Sequence, residues 1–172
     1  MLRLSGVPVG ATATTYLLSK SDIIPTMTSL SKNNQQLFNT LKSLKLPKGE
    51  FIIFGSGAML IRGLKDGHDL DVFCSSKLFD EYRNREGWKL KPCNQDYYLS
   101  KDGIELWETW RPGDWNFYDM VKEAEYIDDL PFVTLEVTKQ WKIMNGREKD
   151  LEHVKLIDTY LVENSNLETA QA

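Results

Sequence analysis

The chain has 172 residues, 41% of them hydrophobic and 27% charged, which is enough for one domain with a buried core. Its net charge of −4 excludes a general, sequence-independent coat for DNA or RNA, which would be basic. No apolar run reaches the ~20 residues that a membrane span needs. Cys74 and Cys93 form neither a metal-ligand pattern nor a disulfide framework, so we expect a cytoplasmic protein with reduced thiols, a single disulfide being the alternative.

The N-terminal segment differs in composition from the rest of the chain. Residues 1–26 are rich in Ser, Thr and Gly and contain no acidic residue before Asp22, and Met27 offers a second possible start. We predict a flexible extension or a mis-assigned start here, with a targeting sequence or packed structure as the alternative. A single domain is then expected over residues 27–165, followed by a frayed tail over residues 166–172.

Hydrophobic periodicity predicts the order of helices and strands. Helical spacing and capping residues predict helices at Ser31–Leu46, Ala58–Arg62, Ser76–Arg85, Asn116–Tyr126, Thr138–Met144 and Glu148–Val162. Runs of β-branched and aromatic residues predict strands at Phe51–Phe54, Asp69–Cys74, Trp88–Leu90, Tyr97–Leu99, Ile104–Trp110 and Pro131–Val137. Asp102-Gly103 predicts a hairpin turn. This mixed order favours an α+β fold, with a mixed central sheet flanked by helices, over a doubly wound sheet.

Two acids stand side by side on the second predicted strand. Residues two apart on a strand point to the same face, so Asp69 and Asp71 present adjacent carboxylates while Leu70 and Val72 face the core. Neighbouring anions repel, and a divalent cation removes that cost. Because carboxylate oxygens suit Mg²⁺ or Mn²⁺, the pair predicts a metal site of the kind that supports phosphoryl transfer.

Gly55 and Ser56 follow the first predicted strand and precede a predicted helix. A glycine at this position lets the backbone approach a ligand closely. The Ser56 hydroxyl, at the start of the helix, has two possible roles: it can bond a phosphate oxygen or cap the helix.

The segment from Phe54-Gly55-Ser56 to Asp69-Leu70-Asp71 resembles the nucleotidyltransferase superfamily that includes DNA polymerase β. The resemblance covers roughly residues 51–110. It implies a polymerase β-like fold and transfer of a nucleoside monophosphate from an NTP, such as ATP, to a hydroxyl acceptor, with release of pyrophosphate. It also implies that Asp69 and Asp71 bind the metals and that Gly55 and Ser56 grip the β- and γ-phosphates.

A third carboxylate on a later strand is also implied by the resemblance. The candidates are Glu105 and Glu108, which a strand would place on opposite faces. We favour Glu105 as the third metal ligand and catalytic residue because Ile104 and Leu106 flank it with apolar side chains. The family most often has Asp here, so three roles stay open: metal binding, activation of the acceptor hydroxyl, or neither.

Basic residues near the C-terminus carry a second resemblance. The stretch from Lys142 to Arg147-Glu148-Lys149-Asp150 resembles small bacterial nucleotidyltransferases, including those of toxin–antitoxin and phage-defence systems. Lys142, Arg147 and Lys149 can neutralise a triphosphate, the alternative being solvated charges at a helix start. Asp150 is expected to pair with Arg147 or Lys149.

Several other residues have two possible roles each in this interpretation of the sequence. Arg62 either reaches the nucleotide or is an exposed helix arginine, and His68 is interpreted as a loop histidine rather than a metal ligand. The aromatic residues between Trp107 and Tyr118 either stack on a base or belong to the core or a partner-facing patch.

The short chain favours a small molecule or a protein side chain as acceptor. A homo-oligomer or a protein partner is possible, and neither a membrane nor general nucleic-acid binding is expected. The alternative functions are a weakly catalytic or inactive antitoxin-like binding module and a metal-dependent phosphohydrolase.

Overall fold

A seven-stranded mixed sheet forms the centre of the protein, in the order β3-β4-β5-β2-β1-β7-β6. The computed structural model describes residues 25–169, with side chains through Ser165, so the expectations for residues 1–24 and 170–172 lie outside it. The strands are β1 Phe51–Ile53, β2 Leu70–Cys74, β3 Lys89–Cys93, β4 Asp96–Lys101, β5 Ile104–Trp107, β6 Glu125–Ile127 and β7 Leu130–Phe132. Strands β2 and β5 are parallel, as are β1 and β7, and the remaining neighbours are antiparallel.

Six helices flank the sheet within the described residues, after a short 3-10 turn at Met27–Ser29. They are α1 Lys32–Ser43, α2 Gly57–Leu60, α3 Ser76–Arg83, α4 Phe117–Lys122, α5 Leu135–Asn145 and α6 Glu148–Thr169. None of the helices between residues 25 and 169 has the length and apolar character needed to cross a bilayer. The seven-stranded mixed sheet and these six helices confirm the predicted α+β class, with a mixed central sheet flanked by helices.

Both faces of the central strands are covered by apolar side chains. Phe38 of α1 and Leu78 of α3 belong to the larger buried cluster, together with the β2 residue Val72. On the opposite face, Phe54 and Phe73 pack with the aromatic side chains that follow β5 and with Trp141 of α5. Strands β1 and β2 are therefore a rigid support for the segments that leave their ends.

The predicted helix Asn116–Tyr126 is wrong in its second half. The helix begins after the Asn116 cap and ends at Lys122, and β6 follows it. Asp128 and Asp129 both have positive φ, 51° and 63°, and they close a tight hairpin between β6 and β7. Aspartate tolerates this conformation less readily than glycine, so the dipeptide gave only a weak turn signal in the sequence.

The predicted strand Pro131–Val137 is too long, because it ends at Phe132. The Thr134 side chain accepts a hydrogen bond from the Val137 N–H at 3.3 Å and so starts α5 three residues before the predicted position. The strand predicted over Ile104–Trp110 likewise ends at Trp107, and the last helix continues past the predicted end at Val162 to Thr169.

Candidate active site

Three acids meet where β2 and β5 run side by side. In the parallel register of these strands Asp71 lies opposite Glu105, and Asp69 immediately precedes β2. All three line a cleft of about 620 Å³, which is in the size range of small-molecule sites. We call this group of Asp69, Asp71 and Glu105 the acid end of the cleft.

The acid end has more negative charge than its surroundings neutralise. Burial, together with the charges of Asp69 and Glu105, raises the pKa of Asp71 to about 7. The Trp107 indole N–H and the Lys142 ammonium oppose this rise. Burial, followed by the charge of Asp69, also raises the pKa of Glu105. A group of hard oxygen donors that resists ionisation fits a divalent cation, because the cation would stabilise the charged carboxylates.

Gly55 brings the turn after β1 into contact with the acid end. Its φ of +64° lies in the left-handed region that glycine adopts most readily. A Cβ atom at this position would lie 2.4 Å from Oδ2 of Asp71, closer than any such contact can be. The backbone N–H of Phe54 also donates to the Asp71 carbonyl at 3.0 Å, so the turn and the acid pair are held together.

The Ser56 hydroxyl is engaged by a lysine and does not cap α2. Ser56 makes no side-chain hydrogen bond to the start of that helix. Instead, the Lys142 ammonium donates to Ser56 Oγ at 3.1 Å and to Asp150 Oδ1 at 3.3 Å. Two motifs that are 86 positions apart in the sequence are thus joined by a direct contact.

Asp150 anchors the basic side of the cleft. It accepts hydrogen bonds from the Arg147 guanidinium at 2.5 Å and from the Asn145 amide at 2.7 Å, so its predicted pairing with Arg147 is confirmed. Burial acts to raise the pKa of Asp150, but the hydrogen bond from Arg147 and the charge of Lys142 outweigh burial and lower it. The carboxylate therefore stays ionised and holds two cations beside the cleft.

Four cations form what we call the basic end of the cleft. Lys142 comes from α5, Arg147 from the turn after it and Lys149 from α6. All three line the cleft. Lys65 joins them from the segment between α2 and β2. Burial lowers the pKa of both Lys65 and Lys142. Burial and mutual repulsion make this end receptive to an anion.

Two sequence candidates lie away from the cleft. The guanidinium of Arg62 is buried and donates to the Ala58 carbonyl at 3.0 Å and to the Glu125 carboxylate at 2.6 Å. Arg62 is therefore neither exposed nor among the residues that line the cleft. Glu108 is exposed beyond the end of β5 and does not line the cleft either.

Asn34 is a positioning residue that sequence reasoning missed. From α1 its amide donates to the carbonyls of Leu60 at 3.1 Å and Lys65 at 2.9 Å, and its side-chain oxygen accepts from the Gly67 N–H at 3.0 Å. These bonds fix the segment that carries Lys65 and leads into Asp69. Because the partners are far away in the sequence, no local pattern marks Asn34 as part of the site.

The aromatic stretch contributes both core and cleft wall. Trp107 and Trp110 line the cleft, as do His68 and Trp141. Trp110 also packs against Phe54, with ring centroids 4.3 Å apart, so part of its surface belongs to the core. Tyr118, by contrast, is 73% exposed. Stacking of a base on these rings stays a prediction.

Comparison with protein-family models, with curated proteins and with solved structures gives no match for this chain. Within residues 25–169, no group of three or more His, Cys, Asp or Glu side chains is positioned so that it could hold a metal ion. The chemistry of the cleft is therefore what supports a function: an acid end suited to a divalent cation faces a basic end suited to a polyphosphate.

Proposed function

We propose that this protein is a metal-dependent nucleotidyltransferase with a polymerase β-like fold. It would transfer a nucleoside monophosphate from an NTP to a hydroxyl acceptor, either a small molecule or a protein side chain. The observation that supports this most is the meeting of two separate sequence motifs in one cleft. The acid end contains Asp71 and Glu105 in register, and the basic end contains Lys142 bonded to Ser56.

Asp69, Asp71 and Glu105 would hold Mg²⁺ or Mn²⁺. Such an ion would supply Lewis-acid stabilisation of the negative charge that develops on the reacting phosphate. The raised pKa values of Asp71 and Glu105 fit this role, because burial and the neighbouring acids outweigh the charges of Lys142 and Lys91, and a bound cation would offset them. Because these side chains are not in a metal-holding arrangement in the described structure, binding of the ion would require them to rearrange.

The basic end would bind the β- and γ-phosphates. Lys142 would exchange its bond to Ser56 for a phosphate oxygen, and the Ser56 hydroxyl would then be free to donate to the same chain of phosphates. Arg147 and Lys149 add charge at the cleft wall. The Asp150 carboxylate would keep the Lys142 and Arg147 side chains in place throughout.

In the reaction, the acceptor hydroxyl oxygen forms a bond to the α-phosphorus. The bond from that phosphorus to the oxygen bridging to the β-phosphate breaks, and pyrophosphate leaves with the electron pair. The hydroxyl proton passes to a nearby base, for which Glu105 is the candidate in the acid end. Leaving pyrophosphate would then be stabilised by the cations of the basic end.

The test is nucleotide transfer by the purified full chain. Each of the four NTPs, labelled at the α-phosphate, is incubated with Mg²⁺ or Mn²⁺ and a panel of hydroxyl acceptors, and pyrophosphate release is measured together with label transfer. We expect turnover that Asp69→Asn combined with Asp71→Asn abolishes. Asp80→Asn, which changes an exposed acid on α3, is the matched control and should keep the wild-type rate.

Three outcomes would contradict the proposal in different ways. Unchanged turnover in the double variant would show that the acids are assigned wrongly. Release of inorganic phosphate without label transfer would indicate a phosphohydrolase. Metal-dependent stabilisation by NTP without any turnover would indicate a binding module that keeps the site.

A further inference from the structure

His153 occupies a distinctive place at the basic end of the cleft. It lies on α6 one helical turn after Asp150 and lines the cleft with Lys65 and Lys142. The charged groups that act on it are Lys142 from α5, Lys65 from the segment before β2, and Asp150 and Lys149 from its own helix. Three of these four groups are cations.

The imidazole is also incompletely bonded. Its Nδ1 atom is buried and has no hydrogen-bond partner within the described protein. Buried polar atoms are usually satisfied, and an exception in the wall of a cleft calls for an explanation. Burial, followed by the charges of Lys142 and Lys65, lowers the pKa of His153 to about 4, so the ring is neutral near pH 7.

We propose that His153 is a phosphate-binding residue whose imidazole takes up one proton when a polyphosphate chain enters the basic end. This inference rests on the proposed function, and it adds a residue that the triphosphate-binding motifs do not include. The motifs account only for Lys142, Arg147 and Lys149.

The physical reason is the change in charge around the ring. In the free protein, Lys142 and Lys65 repel a second proton on the imidazole. A polyphosphate neutralises these cations and brings its own negative charge, which favours the charged ring. The imidazole then accepts one proton from solvent, and a ring N–H that faces the cleft donates to a phosphate oxygen. The negative charge of Asp150 also favours the protonated ring.

The chain contains two histidines, which makes the proposal directly measurable. In the full-length His68→Gln variant, the remaining histidine signal in a ¹H–¹³C NMR spectrum belongs to His153. Its position is followed from pH 3 to pH 8 with EDTA present, without and with saturating tripolyphosphate. We expect the titration midpoint to rise by at least about one pH unit on binding, the effect of nearby opposite charge.

The wild-type chain and His153→Gln provide the second measurement. Tripolyphosphate affinity is determined at pH 5.5 and pH 7.5 for both proteins, so that titration of the ligand itself cancels in the ratio of their Kd values. The ratio depends on the size of the midpoint shift: a rise from about 4 to about 6 gives the wild type an advantage of about fourfold at pH 5.5, and that advantage vanishes at pH 7.5.

The outcomes separate this inference from the proposed function. If tripolyphosphate binds and the His153 midpoint does not move, the proton-uptake role is wrong while the nucleotide site stands. If neither tripolyphosphate nor an NTP with Mg²⁺ binds, the proposed function fails, and the role of His153 fails with it.

Discussion

Strand register places Glu105, and not Glu108, beside the acid pair at the level of single residues. Glu105 lies beside Asp71 because β2 and β5 are parallel and paired residue by residue, and its side chain therefore points to the same face of the sheet. Glu108 follows the end of β5, where no pairing holds it toward the acids. The two glutamates are close in sequence but differ in what they can reach.

Glu105→Gln should therefore reduce turnover by roughly a hundredfold or more, the scale for loss of a metal-binding or general-base carboxylate. Glu108→Gln should stay within about twofold of the wild type, because surface substitutions have small effects. Initial rates of pyrophosphate release measure both variants, and circular dichroism checks their folding. Equal losses in the two variants would mean that the register does not decide the role.

The burial of Asp71 predicts an unusual pH dependence of stability without metal. Its pKa rises from the ordinary value of 3.8 to about 7, so between these values the folded chain binds more protons than the unfolded chain. Within this pH range, the free energy of unfolding of the metal-free protein therefore falls as pH rises. Asp71→Asn removes this effect, so the melting temperature of the variant should exceed that of the wild type at pH 8 and match it more closely near pH 4.

His153 acts in the opposite direction, since a pKa lowered to about 4 makes stability rise from pH 4 toward pH 6.5. It is present in both proteins, so the comparison with Asp71→Asn cancels its effect. Adding Mg²⁺ at pH 8 should raise the melting temperature of the wild type more than that of the variant. A variant that melts below the wild type at pH 8 without metal would contradict the assigned cause.

At the scale of elements, the turn from β1 into α2 depends on Gly55 because of its positive φ and its close approach to Asp71, whereas Gly49, before β1, has only the positive φ. Gly55 and Gly49 both have positive φ, +64° and +81°, so an alanine at either position carries a backbone cost of roughly 1–2 kcal/mol. Only at Gly55 would the new Cβ meet the Asp71 carboxylate, while Gly49 has nothing within 4 Å of that position.

The two alanine variants thus separate backbone strain from damage to the site. Gly49→Ala should lose stability and keep NTP binding with Mg²⁺. Gly55→Ala should lose at least as much stability and also weaken metal-dependent NTP binding by about tenfold or more, since a displaced acid ligand costs more than ~1.4 kcal/mol. Thermal melts and calorimetric titration give the two quantities. Comparable Kd values for the two variants would show that contact with Asp71 is unimportant.

Local patterns predicted the elements best where sequence neighbours decide them. The strand Phe51–Ile53, the helix capped by Ser75 and the hairpin at Asp102-Gly103 follow from apolar runs, a capping serine and a turn dipeptide. The β6–β7 hairpin was missed because its turn residues are both aspartates. The start of α5 was missed because the apolar run continues through the Thr134 cap.

The same limit applies to the site. Gly55, Ser56 and the acid pair lie within one short segment, where spacing alone makes their chemistry visible. Lys65 and His153 enter the cleft only because α6 packs beside α5 and Asn34 fixes the segment before β2. Contacts of this kind depend on tertiary packing, and a single sequence does not encode them in any local period.

On the scale of the whole molecule, the cleft lies between the sheet and the helix pair α5 and α6, which pack against each other through Trp141 and Phe54. The acid end belongs to the sheet through β2 and β5, and the basic end belongs largely to the helix pair α5 and α6. In the described protein, the Lys142–Ser56 hydrogen bond links the helix pair to the turn after β1, while the Lys142–Asp150 contact joins α5 to α6. A ligand that binds both ends should therefore couple them.

ATP with Mg²⁺ at about one hundred times its Kd should stabilise the folded chain by about 2.7 kcal/mol. Hydrogen exchange measured by mass spectrometry should slow in β2 and β5 and also in α5 and the first turns of α6. The opposite edge strand β6, none of whose residues lines the cleft, should be unaffected. In the Asp69→Asn, Asp71→Asn variant the sheet should lose its protection while the helix pair keeps part of it, since the cations of the basic end remain. Protection confined to one part in the wild type would show that the ligand does not bridge the cleft.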